Sequence, residues 1–402
     1  MRQPASLRAR ILTSVAADEV TAELYARGAD AEAVRMIVQR GLGRAMLVGP
    51  LPLADAEALR QAARAAGAMA VLTRPAGRQD PERAEVVVMA PMKTLASIAE
   101  QLGGQTGARM SAALAGFAQP RARVLRGRER EVALGGKTLI MGIVNVTPDS
   151  FSDGGLYDTK EAAIVHAAEL AAAGADIIDI GGESTRPGSD AVDEAEELLR
   201  VVPVIEGLSG LPAVISVDTR KASVARAAAK GGAKILNDVS ALTYDPKSLQ
   251  AAADTGLGVV LMHAQGEPKT MQDDPRYGDV VLEVFDYLEA RIKAATAAGI
   301  DRSRIAADPG LGFGKTLAHN LALLSHITLF HGLGVPLLVG ASRKRFIQGV
   351  SGGEKPSGRE PGSHAAAIEA AGQGAQILRV HDVAGSRQAL AVWRAVAFNT
   401  EN

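Results

Sequence analysis

The 402-residue chain is 47% apolar and only 3% aromatic, has no cysteine and carries a formal net charge of −1. Near-neutrality excludes a global field favouring nucleic acid or an anionic membrane, and the missing thiols exclude disulfides, thiolate nucleophiles and sulfur-ligated zinc. The length suits a large domain plus a smaller one, with a core of aliphatic side chains packed around alanine and glycine.

Residues 1–20, "MRQPASLRARILTSVAADEV", contain arginines but no unbroken apolar stretch, so a secretory signal is not expected. No apolar run approaches the roughly 20 residues that span a bilayer. The expectation is a soluble, cytoplasmic protein. Up to residue 120, "RAMLVGPL", "AMAVLTR" and "AEVVVMA" read as strands, and "ADAEALRQAARAAG" and "MKTLASIAEQLGG" read as helices. A small α/β domain of unknown role is therefore predicted over 1–120, with a boundary at Pro120 and no chemical motif inside it. Next, "RARVLRGRER" places five arginines between 121 and 130. Without aromatic interleaving or a basic domain around it, this reads as the exposed face of a β-hairpin rather than a nucleic-acid patch, with Gly135-Gly136 turning the chain.

From residue 137 onward strand-like and helix-like runs alternate. The strands are "TLIMGIV", "ADIIDIG", "AVISV", "AKIL", "LGVVLM", "RIAA", "PLLVG" and "AQILRV", and "GSRQALAVWRAVAF" is the closing helix. Near-continuous Val, Ile and Leu runs suit strands buried on both faces. Eight β/α pairs over 121–402 predict a (β/α)8 TIM barrel of about 250 residues. The third unit is short, about 19 residues from Val217 to Leu236. A doubly wound open sheet is the alternative.

Barrel chemistry sits at the C-terminal ends of the strands. Those ends carry Asn145, Gly181-Gly182-Glu183, Asp218, Asn237-Asp238, His263, Asp308, Ser342-Arg343-Lys344, and Arg379 with His381. Any one alone suits a cap or turn, but all eight ends are polar. Lys344, Arg379, Arg186 and His381 suit an anion such as a phosphate, while Asp218, Asn237 and Asp308 suit the adjacent N–H groups of a flat, nitrogen-rich ring. Other chemistries fall away. "PGLGFGKT" has Pro309 where a phosphate-binding loop needs glycine, and neither a H-E-x-x-H metal motif nor a G-x-S-x-G nucleophile elbow occurs. His166, His319, His326 and His331 fall in helical stretches and read as structural.

Two segments, "LIMGIVNVTPDSFSDGG" and "GADIIDIGGESTRPGS", resemble the signatures of the dihydropteroate synthase family. "ISVDTRKASVARAAAKGGAKILNDVSAL", "LMHAQGEPKTMQ", "DPGLGFGKT", "LLVGASRKRFI" and "GAQILRVHDV" follow in the family's order, so the resemblance runs from about residue 122 to the end. It implies condensation of 6-hydroxymethyl-7,8-dihydropterin pyrophosphate with p-aminobenzoate, using Mg²⁺, in a homodimer whose family members bind sulfonamides. It also implies pterin binding by Asp218, Asn237, Met262, Asp308, Phe313, Gly340 and Lys344. Pyrophosphate would be held by Thr185, Arg186, Arg379 and His381, and Asn145 would ligate Mg²⁺ or sit beside it. p-Aminobenzoate would meet Phe151, Pro187, Ser342 and Lys344. Asn145, Arg186, Lys344, Arg379 and His381 are the implied catalytic set. The alternatives are a pterin-dependent methyltransferase of the corrinoid type and a non-catalytic pterin-binding paralogue.

Overall fold

A computed structural model of the protein describes residues 8–12, 24, 28–34, 44–73, 82–118, 124–128, 130–134, 137–147, 156–184, 188–352 and 355–398. The chain divides into two compact units. One comprises Met1–Pro120 with Tyr277–Asp279 and Thr328–Gly334, and the other comprises the remainder. No described helix is long and apolar enough to cross a membrane.

In the smaller unit, strands β1 (Arg8–Leu12), β2 (Arg44–Pro52), β3 (Met69–Thr73) and β4 (Arg83–Ala90) form an antiparallel sheet in the order β1-β2-β4-β3. Alternate residues Met46 and Val48 of β2 and Val86 and Val88 of β4 pack with Leu59 and Ala63 of helix Leu53–Ala65 and with Leu95 and Ile98 of helix Met92–Leu102. Ala56, Leu59 and Ala63 recur at helical spacing, which is why one stripe of that helix is buried. Strand β1 was not among the expected elements. Two of its five residues are arginines, so no apolar run marks it, and its ladder with β2 defines it.

The larger unit begins with the hairpin β5 (Val124–Gly127) and β6 (Arg130–Ala133). Gly127 pairs with Arg130, so the hairpin closes between those two residues; Gly135-Gly136, expected to turn the chain, lie outside the described residues. One face carries exposed Arg126 opposite Glu131, and the other carries buried Leu125 opposite Val132.

Eight parallel strands follow: β7 (Leu139–Asn145), β8 (Ile177–Gly181), β9 (Val214–Asp218), β10 (Ile235–Asp238), β11 (Gly258–Met262), β12 (Ile305–Asp308), β13 (Leu338–Val339) and β14 (Ile377–Val380). Their order is β12-β11-β10-β9-β8-β7-β14-β13, and a parallel bridge between Ala307 and Leu337 joins the two ends. The Ala307 N–H donates to Pro336 O at 2.8 Å across that seam. Eight strands and the bridge make a (β/α)8 barrel and exclude the open doubly wound sheet. The short third unit is accommodated because its helix, Ala222–Gly231, is only 10 residues long.

Strand geometry then sorts the lumen. Side chains alternate between faces, so each strand sends every second residue inward. Met141, Ile177, Val214, Ile235, Val260, Ala306, Leu338 and Ile377, one from each strand, form a single buried cluster with Leu125, Val132 and Leu134. All eight lie in the N-terminal parts of their strands, so the hairpin's apolar face closes that mouth of the barrel.

Leu125 is fully buried in this plug. Leu125→Ala should lower stability by roughly 2–5 kcal/mol through the cavity it opens. Urea unfolding followed through Trp393, the chain's single tryptophan, checks this, and an unchanged midpoint would detach the hairpin from the core.

Candidate active site

Continuing the inward parity toward the C-terminal mouth turns the lumen polar. Two residues above the apolar layer come Asp179, Ser216, Asn237, Met262, Asp308, Gly340 and Arg379, and Gly181, Asp218 and Asn145 stand above or level with them. Register aligns this rim: Asn145 pairs with Gly181, Gly181 with Asp218, Asp218 with Asn237, and Met262 with Asp308.

Several side chains expected from the sequence meet directly. Arg379 Nη2 donates to Asp218 Oδ2 at 2.8 Å while its Nε donates to Asp179 Oδ2 at 2.7 Å, and Asn237 Nδ2 donates to the same Asp179 oxygen at 2.9 Å. Lys344 Nζ stands 4.0 Å from the centroid of the Phe313 ring, a cation–π contact that fixes both. Ser342 Oγ and His381 Nδ1 share a 3.0 Å hydrogen bond, and the His381 N–H donates to the same oxygen. Gly340 faces Arg379, whose Cβ would lie 3.8 Å from a Cβ added there. Thr185, Arg186, Pro187 and Phe151 lie outside the described residues.

The loop after β12 is shaped by glycine. Gly310 has φ +68°, and an added Cβ would fall 1.9 Å from His263 O. Its N–H donates to Asp308 Oδ1 at 2.7 Å, so the loop folds back over the carboxylate it follows. Lys315 then reaches beneath the loop. Its Nζ donates to Phe313 O at 2.9 Å and lies 3.0 Å from His263 Nδ1, tying the loop that carries Phe313 to the end of β11. After β10, Ala241 and Leu242 both adopt left-handed φ. Asp238 holds this turn, accepting from the N–H groups of Ser240 at 2.7 Å and Leu242 at 3.1 Å.

Burial sets the electrostatics. Asp218 is pushed up to about 7 by burial and by the charge of Asp179, against the opposing pull of Arg379. Burial pushes Asp308 up to about 6, although Gly310 N–H, Lys344, Lys315 and Arg379 all favour its anion. That Asp308 feels Lys344 and Arg379 places all three charges around one mouth. Burial lowers Lys315 to about 7, and burial together with Lys315 lowers His263 to about 2, so the His263 ring is neutral. Burial opposes the Arg379 charge, and Asp179 and Asp218 more than offset it, raising its value.

Sequence reasoning missed Asp179 and Lys315 as contributors, and it placed Asp238 at a strand end without its role in the turn that follows. Asp179 had a signal: it stands two residues before Gly181 inside an apolar run, at a position whose parity points into the lumen. Beside the rim, Glu183 accepts from Arg220 and Lys221, and Lys221 also bonds Glu197 in a buried network. For a cation, Asn145 Oδ1 lies 3.9 Å from where a Gly181 Cβ would stand, an oxygen donor suited to a hard divalent ion, while Asp218 Oδ2, 3.8 Å from the same point, is taken by Arg379. Glu360, His364 and Asp382 also lie close enough together to share a metal, but Arg343 already pairs with Glu360 there.

Residues 141–381 match the family described as pterin binding enzyme. Dihydropteroate synthase of Escherichia coli (strain K12) is 51% identical over 264 residues, covering 65% of this chain and 93% of that protein. The chain belongs to the dihydropteroate synthase family. A solved dihydropteroate synthase from Xanthomonas albilineans with 4-aminobenzoic acid is similar with a TM-score of 0.65 and 52% identity, covering 69% of this chain and 98% of that one. The dihydropteroate synthase of Burkholderia cenocepacia complexed with 7,8-dihydropteroate is 42% identical with a TM-score of 0.63, covering 69% and 97%. These relatives are synthases and do not favour the methyltransferase alternative.

The raised value of Asp308 fixes a pH dependence for the synthase. The folded state holds this proton more tightly than the unfolded chain, whose value is near 3.8. Stability contributed by the protonated form is complete below that value and is lost as pH rises to about 6, a cost on the order of 3 kcal/mol. Asp308→Asn should therefore be more stable than wild type at pH 8, with the advantage fading by pH 4. Urea midpoints across that range test it, and a pH-independent difference would contradict the assignment.

Proposed function

We propose that the barrel mouth joins 6-hydroxymethyl-7,8-dihydropterin pyrophosphate to p-aminobenzoate, giving 7,8-dihydropteroate and pyrophosphate. The observation that carries this reading is the convergence of buried ring acceptors with fixed cations on one rim, in a chain of this family. Asp218, Asn237 and Asp308 take the N–H edge of the pterin, and Met262, Gly340 and the Lys344–Phe313 pair line its faces. A buried carboxylate accepting two parallel N–H bonds discriminates strongly against rings that lack them.

The substrate's C–O bond to pyrophosphate breaks and the amine nitrogen forms a bond to the same CH₂, losing one proton to solvent. Charge grows on the departing diphosphate, so the enzyme's leverage is electrostatic. Arg379 and His381, with Thr185 and Arg186 from the segment after β8, hold that diphosphate. Mg²⁺, held by Asn145 with phosphate oxygens and water, would neutralise part of the same charge. The aromatic amine is already nucleophilic, so the reaction needs no strong general base. Phe151, Pro187, Ser342 and Lys344 hold p-aminobenzoate, and the Ser342–His381 hydrogen bond links that pocket to the diphosphate end. The Yersinia pestis relative, solved with a sulfonamide drug complex, supports the same pocket as a sulfonamide site here. We further propose a cytoplasmic homodimer, with residues 1–120 forming a separate domain and 121–402 the catalytic one.

Purified protein with Mg²⁺ should release pyrophosphate beyond background only when both organic substrates are present. Lys344→Ala and Arg379→Ala should each cut that rate by about 10²–10³-fold with unchanged circular dichroism. Wild-type rates in both variants would remove the roles given to them. A chain lacking residues 1–120 should retain the reaction, and loss of activity in a folded truncation would make that region part of the catalytic unit.

A further inference from the structure

Asp179 is assigned no role by the reading above, yet two residues of that reading lean on it. It sits in the middle of β8, is fully buried and points into the lumen between the apolar layer and the rim. Its Oδ2 accepts from both Arg379 Nε at 2.7 Å and Asn237 Nδ2 at 2.9 Å. Its Oδ1 is buried with no hydrogen-bond partner among the described residues, as is the hydroxyl of Ser216, its register neighbour on β9.

Two buried carboxylates converge on one guanidinium, Asp218 at Nη2 and Asp179 at Nε, and one oxygen of Asp179 is left as an unfilled acceptor. Such a group costs stability unless something pairs with it, and it is worth its cost where geometry must be held. Asp179 holds that geometry. By taking Nε it turns the Arg379 fork so that Nη2 meets Asp218, and by taking one amide hydrogen it fixes the rotamer of Asn237 and leaves the amide carbonyl free for the ligand.

We propose that Asp179 is a positioning residue for the pterin pyrophosphate, locking Asn237, which meets the ring, and Arg379, which meets the diphosphate, into one rigid unit. The proposal rests on the reading of those two side chains as ligand-binding groups. It acts on that substrate and leaves p-aminobenzoate untouched.

Steady-state kinetics on the full chain tests it. Asp179→Asn keeps an acceptor and removes the charge, whereas Asp179→Ala removes both. Asp179→Ala should raise KM for the pterin pyrophosphate about 10- to 100-fold, the range for a lost charge-assisted hydrogen bond, with KM for p-aminobenzoate essentially unchanged and Asp179→Asn falling between. A merely structural role would disturb both substrates alike, so the split between the two KM values, with partial rescue in Asp179→Asn, is the readout that decides. Asn237→Ala and Arg379→Ala serve as controls. If they leave the pterin KM unchanged, the underlying reading fails and takes this proposal with it. If they raise it while folded Asp179→Ala does not, the positioning role alone is overturned. Should the Asp179 variants not fold, the wild-type protein still decides: the Arg379 Nε–H resonance, assigned by its loss in Arg379→Lys, should exchange slowly with solvent, and exchange at the rate of a free guanidinium would overturn the lock.

Discussion

A closed parallel barrel forces alternate residues of every strand into one shared lumen, and the molecule depends on that constraint. At the hairpin end the eight inward positions are aliphatic and need only volume. Two residues further along each strand, the same parity turns Asp179, Ser216, Asn237, Asp308 and Arg379 into the lumen. No loop has to bring these groups together. The backbone ladder does so, and a slip of one residue would send each of them into the helical shell.

That economy has an electrostatic cost. Buried Asp218 and Asp308 hold their protons up to about 7 and about 6, and Lys315 gives its proton up near 7. A core selected for stability alone would replace such groups with packed hydrocarbon. In the proposed reading they suit a flat heterocycle with adjacent donors, which is best met by acceptors already taken out of water. The strained turn at Ala241-Leu242 belongs to the same pattern. Asp238 clamps an unfavourable backbone so that the end of β10 presents Asn237.

Much of this was written in the sequence because chemistry and strand ends coincide. Asn145, Asp218 and Asp308 each terminate an apolar run, and Asn237 stands one residue short of such an end, so reading where hydrophobicity stops found them. Asp179 escaped because it interrupts a run instead of ending it, and only the two-residue period of a strand already assigned to a barrel shows which way it points. Lys315 escaped because "PGLGFGKT" was weighed only as a phosphate-binding loop, whereas its glycines let the loop approach His263 closely enough for the lysine to tether it. The hairpin's closure between Gly127 and Arg130 was missed because Gly135-Gly136 is the stronger local signal. The pairing of Leu125 with Val132, which seals the barrel, outweighs it. Strand β1 was lost for the opposite reason: its arginines hide a segment that only its neighbour defines.

The stopper made by Leu125, Val132 and Leu134 gives the barrel a direction. With aliphatic side chains filling one end, a guest of the polar lumen has to come and go on the side where the strands finish. Three residues far from the rim thereby decide which face of the molecule meets its small molecules.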